Sequence, residues 1–226
     1  MSQVEQPRKK RVGVLISGTG SNMKVLAQAC QNNDYPAEIC IVISDKPGVK
    51  GLDSASEMGI DARAIPRKDY ASKAEHEAAI LAALDGANLD FVCLAGFMRI
   101  LSGDFIQKWS GRLINIHPSL LPLFPGLHTH DRAIEAGCKF HGCTVHFVTE
   151  GMDEGPVISQ AVVPILPKDN ADSLAARVLK TEHILYPRSL KLLASGQVRM
   201  TKDEKSEFSD GSGVDRLIDE EQYLIN

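Results

Sequence analysis

Five short apolar runs recur along the chain, at residues 12–16, 39–43, 91–94, 113–116 and 144–148. Between them lie stretches whose apolar residues return every three to four positions, at 22–30, 73–84, 103–109, 130–136 and 171–193, the last interrupted near Pro187. Unbroken or period-two apolar runs mark strands, a 3.6-residue period marks helices, and their alternation marks βαβ units. Several of the strand segments lack an apolar/polar alternation, as expected where both faces of a parallel sheet are covered. The pattern therefore predicts an α/β fold: an open, mostly parallel, twisted sheet with helices on both faces.

No repeat, low-complexity tract or linker divides residues 11–200, so they are read as one domain between a basic N-terminal tail (1–10) and a polar C-terminal tail (201–226). A length of 226 residues with 43% hydrophobic content supports one α/β core and leaves little room for two. From Thr201 the composition turns acidic (Asp203, Glu204, Glu207, Asp210), and only residues 223–225 are expected to regain some order. The net charge of −4 provides no global field for nucleic acid or an anionic membrane, and neither is expected as a partner. An anionic ligand must instead be held by local groups.

The basic run Arg8, Lys9, Lys10 and Arg11 leads straight into Val12 without a long apolar segment, so a solvated tail is expected rather than a signal peptide. No stretch approaches the ~18 apolar residues of a membrane helix. The five cysteines are odd in number and form no C-x-x-C pair. They read as reduced, mostly buried thiols, and the chain as a soluble, cytoplasmic one.

After the first strand come Ser17, Gly18, Thr19, Gly20, Ser21 and Asn22, and then the opening of a helix. Glycines allow a tight turn and a close ligand approach, while free N–H groups and the helix dipole favour an anion. A phosphate held at Gly20, Ser21 and Asn22 is one reading, and a plain strand-to-helix turn is the other. Met23 stands where a third dinucleotide-fingerprint glycine would be, and no P-loop Gly-Lys-Ser follows, so a small phosphorylated ligand fits better than NAD or ATP.

Asn115 and His117 sit two apart in an otherwise apolar strand and project from one face, with Pro118 ending the strand just beyond. Open α/β sheets place ligands at such carboxyl ends. An amide N–H and an imidazole can hold an oxyanion developing on an attacked carbonyl, and the ring can shuttle a proton. Acyl transfer fits that pair, and a histidine merely satisfied by its neighbours is the alternative. Residues 149–156 form a glycine-bracketed loop with three acids, Glu150, Asp153 and Glu154, one of which can face His117 and fix its orientation if the loop folds over the sheet. His128 and His130 lack a third ligand at zinc-like spacing, so no metal is expected.

Five segments, 16–22, 94–101, 115–122, 125–130 and 152–158, together resemble the phosphoribosylglycinamide formyltransferase family, over residues 11–200. The resemblance implies a Rossmann-like formyltransferase fold and transfer of a formyl group from 10-formyltetrahydrofolate, as co-substrate and without a metal, to the amine of 5'-phosphoribosylglycinamide. It implies Asn115, His117 and Asp153 as the catalytic trio, Gly20, Ser21 and Asn22 on the substrate phosphate, and Glu182 at the glycinamide end. Folate is implied against Met98, Arg99, Ile100, Leu101 and Asn115, under the loop Thr149, Glu150, Gly151, Met152 and Asp153. Lys73 stands where members commonly carry a basic residue, often arginine, and an ammonium does not reproduce a guanidinium fork. Glu154 replaces a second glycine found in many members, which alters the loop near Asp153. A monomer or homodimer acting on small molecules is expected. Formyltetrahydrofolate deformylase shares the Asn-x-His-Pro-Ser segment but typically has an extra domain before it, and methionyl-tRNA formyltransferase has one after it. A non-catalytic phosphometabolite-binding module is the reading from another class.

Overall fold

The computed structural model describes residues 8–211, and the order expected at 223–225 lies outside them. Seven strands form one open sheet: β1 (Lys10–Ile16), β2 (Ala37–Ser44), β3 (Asp61–Ala64), β4 (Phe91–Leu94), β5 (Leu113–His117), β6 (Phe140–Phe147) and β7 (Val157–Pro164). Their order is β3-β2-β1-β4-β5-β6-β7. Strands β1 to β5 pair in parallel, while β6 runs antiparallel to both β5 and β7. The sheet is thus mostly parallel with one reversed strand, and its order switches direction at β1 and β4.

Helices cover both faces. On one side α1 (Ser21–Cys30), α2 (Lys50–Glu57) and α6 (Ala171–Ala194) contribute Met23, Leu26, Ala55, Leu174, Val178 and Tyr186, which pack against Val12, Val14, Ile114 and Ile116. On the other, α3 (Lys73–Gly86) and α4 (Gly103–Lys108) bury Ile80, Leu84 and Phe105 against Leu15, Ile41, Ile43, Val92 and Leu113. A further helix, α5 (Thr129–Glu135), precedes β6. Successive strand residues therefore feed opposite cores, which is why the apolar runs do not alternate with polar residues. The same period puts Leu113, Asn115 and His117 on the α4 side and Ile114 and Ile116 on the α6 side.

The break expected near Pro187 does not occur, because α6 runs unbroken from Ala171 to Ala194. Proline costs a helix one donor and about 3 kcal/mol. Leu185, Tyr186 and Leu190, all buried around it, offset that, since each buried large side chain contributes ~1.5–3 kcal/mol. The Pro187 carbonyl also accepts from the Tyr35 hydroxyl. Three elements went unread in the sequence. Edge strand β3 is short and polar, β7 has only a partly covered surface, and α2 starts at Val49 with no side-chain cap. Part of the expected tail folds as well: β9 (Ser206–Phe208) pairs in a small hairpin with β8 (Val198–Met200), a further unread strand at the end of the expected domain.

Tyr186 ties these layers together. Its hydroxyl, fully buried, lies 2.9 Å from the Leu94 carbonyl and 3.2 Å from that of Ile114, so α6 is bonded to β4 and β5 at once. A hydroxyl donates one proton at a time, shared here between two acceptors. Tyr186→Phe is expected to lower unfolding stability by about 1–3 kcal/mol. Urea titration would show it as a lower midpoint with an unchanged slope.

Candidate active site

A cradle of backbone N–H groups forms where β1 meets α1. Gly20 is the residue before the helix, with φ of 70°, a left-handed conformation that glycine adopts without strain, and no side chain caps the first turn behind it. By contrast, Ser72, Ser102 and Asn170 each cap their own helices. The first-turn N–H groups of α1 thus have no side-chain acceptor, as is also the case in α2 and α5. Gly51 of α2 packs into this turn, its N–H 3.2 Å from the Gly18 carbonyl, and a β-carbon there would lie 2.9 Å from that same oxygen.

Asn22 points inward from α1 and its Nδ2 donates to Glu182 Oε2 at 2.7 Å, while Asn22 Oδ1 is buried without a partner. Glu182, on α6, is 7% exposed. Burial pushes its carboxyl above the ordinary carboxylate range, and the Asn22 bond opposes that only in part. These two residues, 160 positions apart in sequence, thus form a buried polar pair beside the cradle.

A cleft of about 160 Å³ opens one strand further on, lined by Leu94, Phe97, Asn115, His146, Met152 and Asp153 among others. A second cleft of about 450 Å³ continues past residues 97–101 toward Arg67 and Lys73. The wall between them is anchored by polar bonds: Met98 N–H donates to Ser17 Oγ at 2.8 Å, and Arg99 Nε to Asp45 Oδ2 at 2.6 Å. Met98 and Ile100 stand 63% and 72% exposed on it, beside Arg99 and Leu101. Lys73 reaches Glu77 at 3.7 Å rather than standing free in the groove.

The acidic loop leaves β6 beside Leu113, where Val148 N–H donates to the Leu113 carbonyl, and turns back over the face that carries Asn115. Asp153, held at φ of 57°, comes within 3.4 Å of His117 Nδ1 and 3.8 Å of His146 Nε2. Its Oδ2 also accepts from the Gly126 N–H at 2.8 Å. The sequence left open which of the three acids faces His117, and the structure places Asp153 there. Glu150 packs instead against Gly103 at the start of α4, and Glu154 folds back onto Gly151. Thr149, Glu150, Gly151 and Met152 all line the smaller cleft.

His117 is 6% exposed and is not among the residues that line that cleft. Its Nε2 lies 3.0 Å from the Phe124 carbonyl, so each ring nitrogen faces an oxygen acceptor. Asn115 Nδ2 lies 3.2 Å from Nε2 of His146, its direct partner across the β5–β6 ladder. Sequence reading missed His146, the Asp45 anchor and the Phe124 carbonyl, all brought in by pairing or loop path and not by spacing. His128 and His130 do not gather a metal set: His130 packs edge-on against His141 at 5.1 Å, and both rings are held below the ordinary histidine range by burial. Among the described residues no group of three or more His, Cys, Asp or Glu is placed to hold a metal ion.

An open sheet with a cradle of backbone N–H groups at its switch point and a polar cluster one strand further has the layout of α/β enzymes that bind ligands at the carboxyl edge of their strands. The sequence matches the Formyl transferase family over residues 10–190, and the chain belongs to that family. It is 50% identical over 202 residues to the trifunctional purine biosynthetic protein adenosine-3 of Drosophila melanogaster, which takes in 88% of this chain and 15% of that protein. The chain thus spans only a small part of the length of such relatives. It is 42% identical over 198 residues to phosphoribosylglycinamide formyltransferase of Escherichia coli (strain K12), covering 88% of this chain and 92% of that one. The crystal structure of phosphoribosylglycinamide formyltransferase from Brucella melitensis aligns with a TM-score of 0.80 at 58% identity, over 84% of this chain and 97% of that one.

Glu182 provides a test of the polar pair beside the cradle. A carboxyl whose folded pKa is raised costs stability above that pKa, and the cost disappears as falling pH protonates it. Glu182→Gln is expected to unfold at a higher temperature than the parent at pH 7, with the gap shrinking on acidification toward pH 5. Thermal unfolding of both proteins across that range reads it.

Proposed function

We propose that the chain transfers the formyl group of 10-formyltetrahydrofolate to the amine of 5'-phosphoribosylglycinamide, a step of purine biosynthesis. The observation that carries this reading is the convergence of Asn115, His117 and Asp153 at the end of β5. That cluster stands beside a cleft bordered by exposed apolar side chains suited to a flat ring. Membership of the family and the phosphoribosylglycinamide formyltransferases among its relatives support it.

The substrate phosphate sits on the amides of Gly20, Ser21 and Asn22, where the helix dipole compensates a chain that is itself acidic. Glu182, already holding Asn22, receives the glycinamide end. Folate lies along Met98, Arg99, Ile100 and Leu101 beneath residues 149–153, with its anionic tail toward Lys73. Met152 and Met98 present soft apolar surface to the ring.

The neutral amine attacks the formyl carbon, and the carbonyl electrons move to oxygen. The free Asn115 N–H, and His117 once Phe124 yields its place, stabilise that oxyanion. Collapse breaks the bond from the formyl carbon to the folate nitrogen, and the proton lost by the attacking amine passes to that nitrogen through His117 or water. Asp153, 3.4 Å from Nδ1, holds the ring in position. No covalent enzyme intermediate is needed. The five unpaired cysteines suit a reducing compartment, in keeping with a cytoplasmic enzyme working as a monomer or homodimer on small molecules.

Absorbance of 10-formyltetrahydrofolate mixed with the protein, with and without phosphoribosylglycinamide, tests the assignment. Release of tetrahydrofolate only when the amine is present is the expected result. Release without amine would make the protein a deformylase, and no release would leave a binding module. Asp153→Asn is expected to keep the fold and lose roughly 100-fold or more in kcat, and a near-normal kcat would remove Asp153 from the mechanism.

A further inference from the structure

We infer that His146 serves as the positioning residue for Asn115, fixing which way its amide points by accepting one of its protons. The inference rests on the formyl-transfer reading above and adds a residue to it. His146 faces Asn115 directly across the β5–β6 ladder and is 2% exposed. Its Nδ1 lies 2.8 Å from the Phe147 carbonyl. A carbonyl only accepts, so Nδ1 carries the ring proton and Nε2 of the neutral ring presents a lone pair.

That lone pair lies 3.2 Å from the Asn115 side-chain nitrogen. With the amide turned over, its oxygen would meet Nε2 lone pair to lone pair, so only one of the two orientations is bonded. The amide nitrogen has two protons, and His146 takes one. The other remains for the cleft, which both residues line. Burial holds the His146 ring below the ordinary histidine range, with the charge of His117 acting the same way and the Phe147 bond and Asp153 acting against it. Asp153 Oδ1, 3.8 Å from Nε2, is beyond hydrogen-bond reach and does not compete for the position.

An asparagine without this partner spends part of its time with its oxygen toward the cleft, where it opposes a developing oxyanion. Losing His146 should therefore slow turnover while leaving both substrates bound. A residue at a 2% exposed strand position that served packing alone would be replaceable by any side chain of similar size.

Steady-state kinetics of His146→Phe and His146→Gln, each alone and combined with Asn115→Ala, separate these roles, with thermal unfolding as the control for folding. His146→Phe is expected to lower kcat roughly ten- to a hundredfold while each KM stays within about twofold. His146→Gln, whose oxygen can accept from Asn115, should recover most of that loss. In the Asn115→Ala background His146→Phe should cost nothing further. An equal loss in that background, or no advantage of Gln over Phe, overturns the inference and leaves formyl transfer standing. Full kcat in Asn115→Ala alone would instead remove the donor role on which both rest. Nitrogen-15 spectra of the unaltered protein give a readout independent of any variant: Nδ1 should be protonated and Nε2 bare, and a proton on Nε2 overturns the inference.

Discussion

One strand runs against the others, and the chemistry gathers where it does. Were β6 parallel to β5, the chain after it would continue past the carboxyl edge, and the register that sets His146 opposite Asn115 would not exist. Because β6 is reversed, the loop that follows starts level with Leu113 and doubles back over the Asn115 face. Asp153 arrives there already constrained on several sides, bonded to the Gly126 N–H and flanked by His117 and His146. Gly155, whose absent side chain admits the Phe147 carbonyl, lets the loop close that tightly. The site is thus a consequence of strand direction before it is a consequence of any side chain.

Its electrostatics follow a similar economy. The chain is acidic overall, yet the reading requires it to hold a phosphate and an anionic folate tail. Backbone amides at an uncapped helix start supply fixed positive ends without placing a cation in the core. Buried acids near the ligand sites are each tied to a donor: Glu182 to Asn22, Asp45 to Arg99, Glu77 to the Ser102 N–H. Where the tie is incomplete, as at Glu182 and at the unpartnered Asp45 Oδ1, the folded protein carries a desolvation cost.

Most of the frame was legible in the sequence because it is written in period. Apolar runs located β1, β2, β4, β5 and β6, helical spacing located α1, α3, α4, α5 and α6, and Pro118 marked the end of β5 just after His117. The glycine turn after β1 was legible for the same local reason. What was not legible came from pairing. Nothing near His146 in the chain announces Asn115, and nothing near Asp45 announces Arg99, since register between strands is set by the whole sheet. Pro187 misled because the rule for an isolated helix was overruled by burial along α6. His117 lies at the end of β5 as its spacing suggested, but the Phe124 carbonyl on its ring was not legible, because it is set by the path of the chain after Pro118.

That placement bears on how such a site stays ready without being open. Phe124 takes a left-handed backbone conformation, φ 55°, uncommon for a residue with a bulky side chain, and it does so with its carbonyl on His117. The opposite wall behaves differently. Residues 97–101 carry exposed Met98 and Ile100, which would favour burial if the segment were loose, yet the Ser17, Asp45 and Glu77 bonds hold it in place beyond the end of β4. Apolar surface kept exposed by polar anchors means that this wall is already ordered before anything covers it.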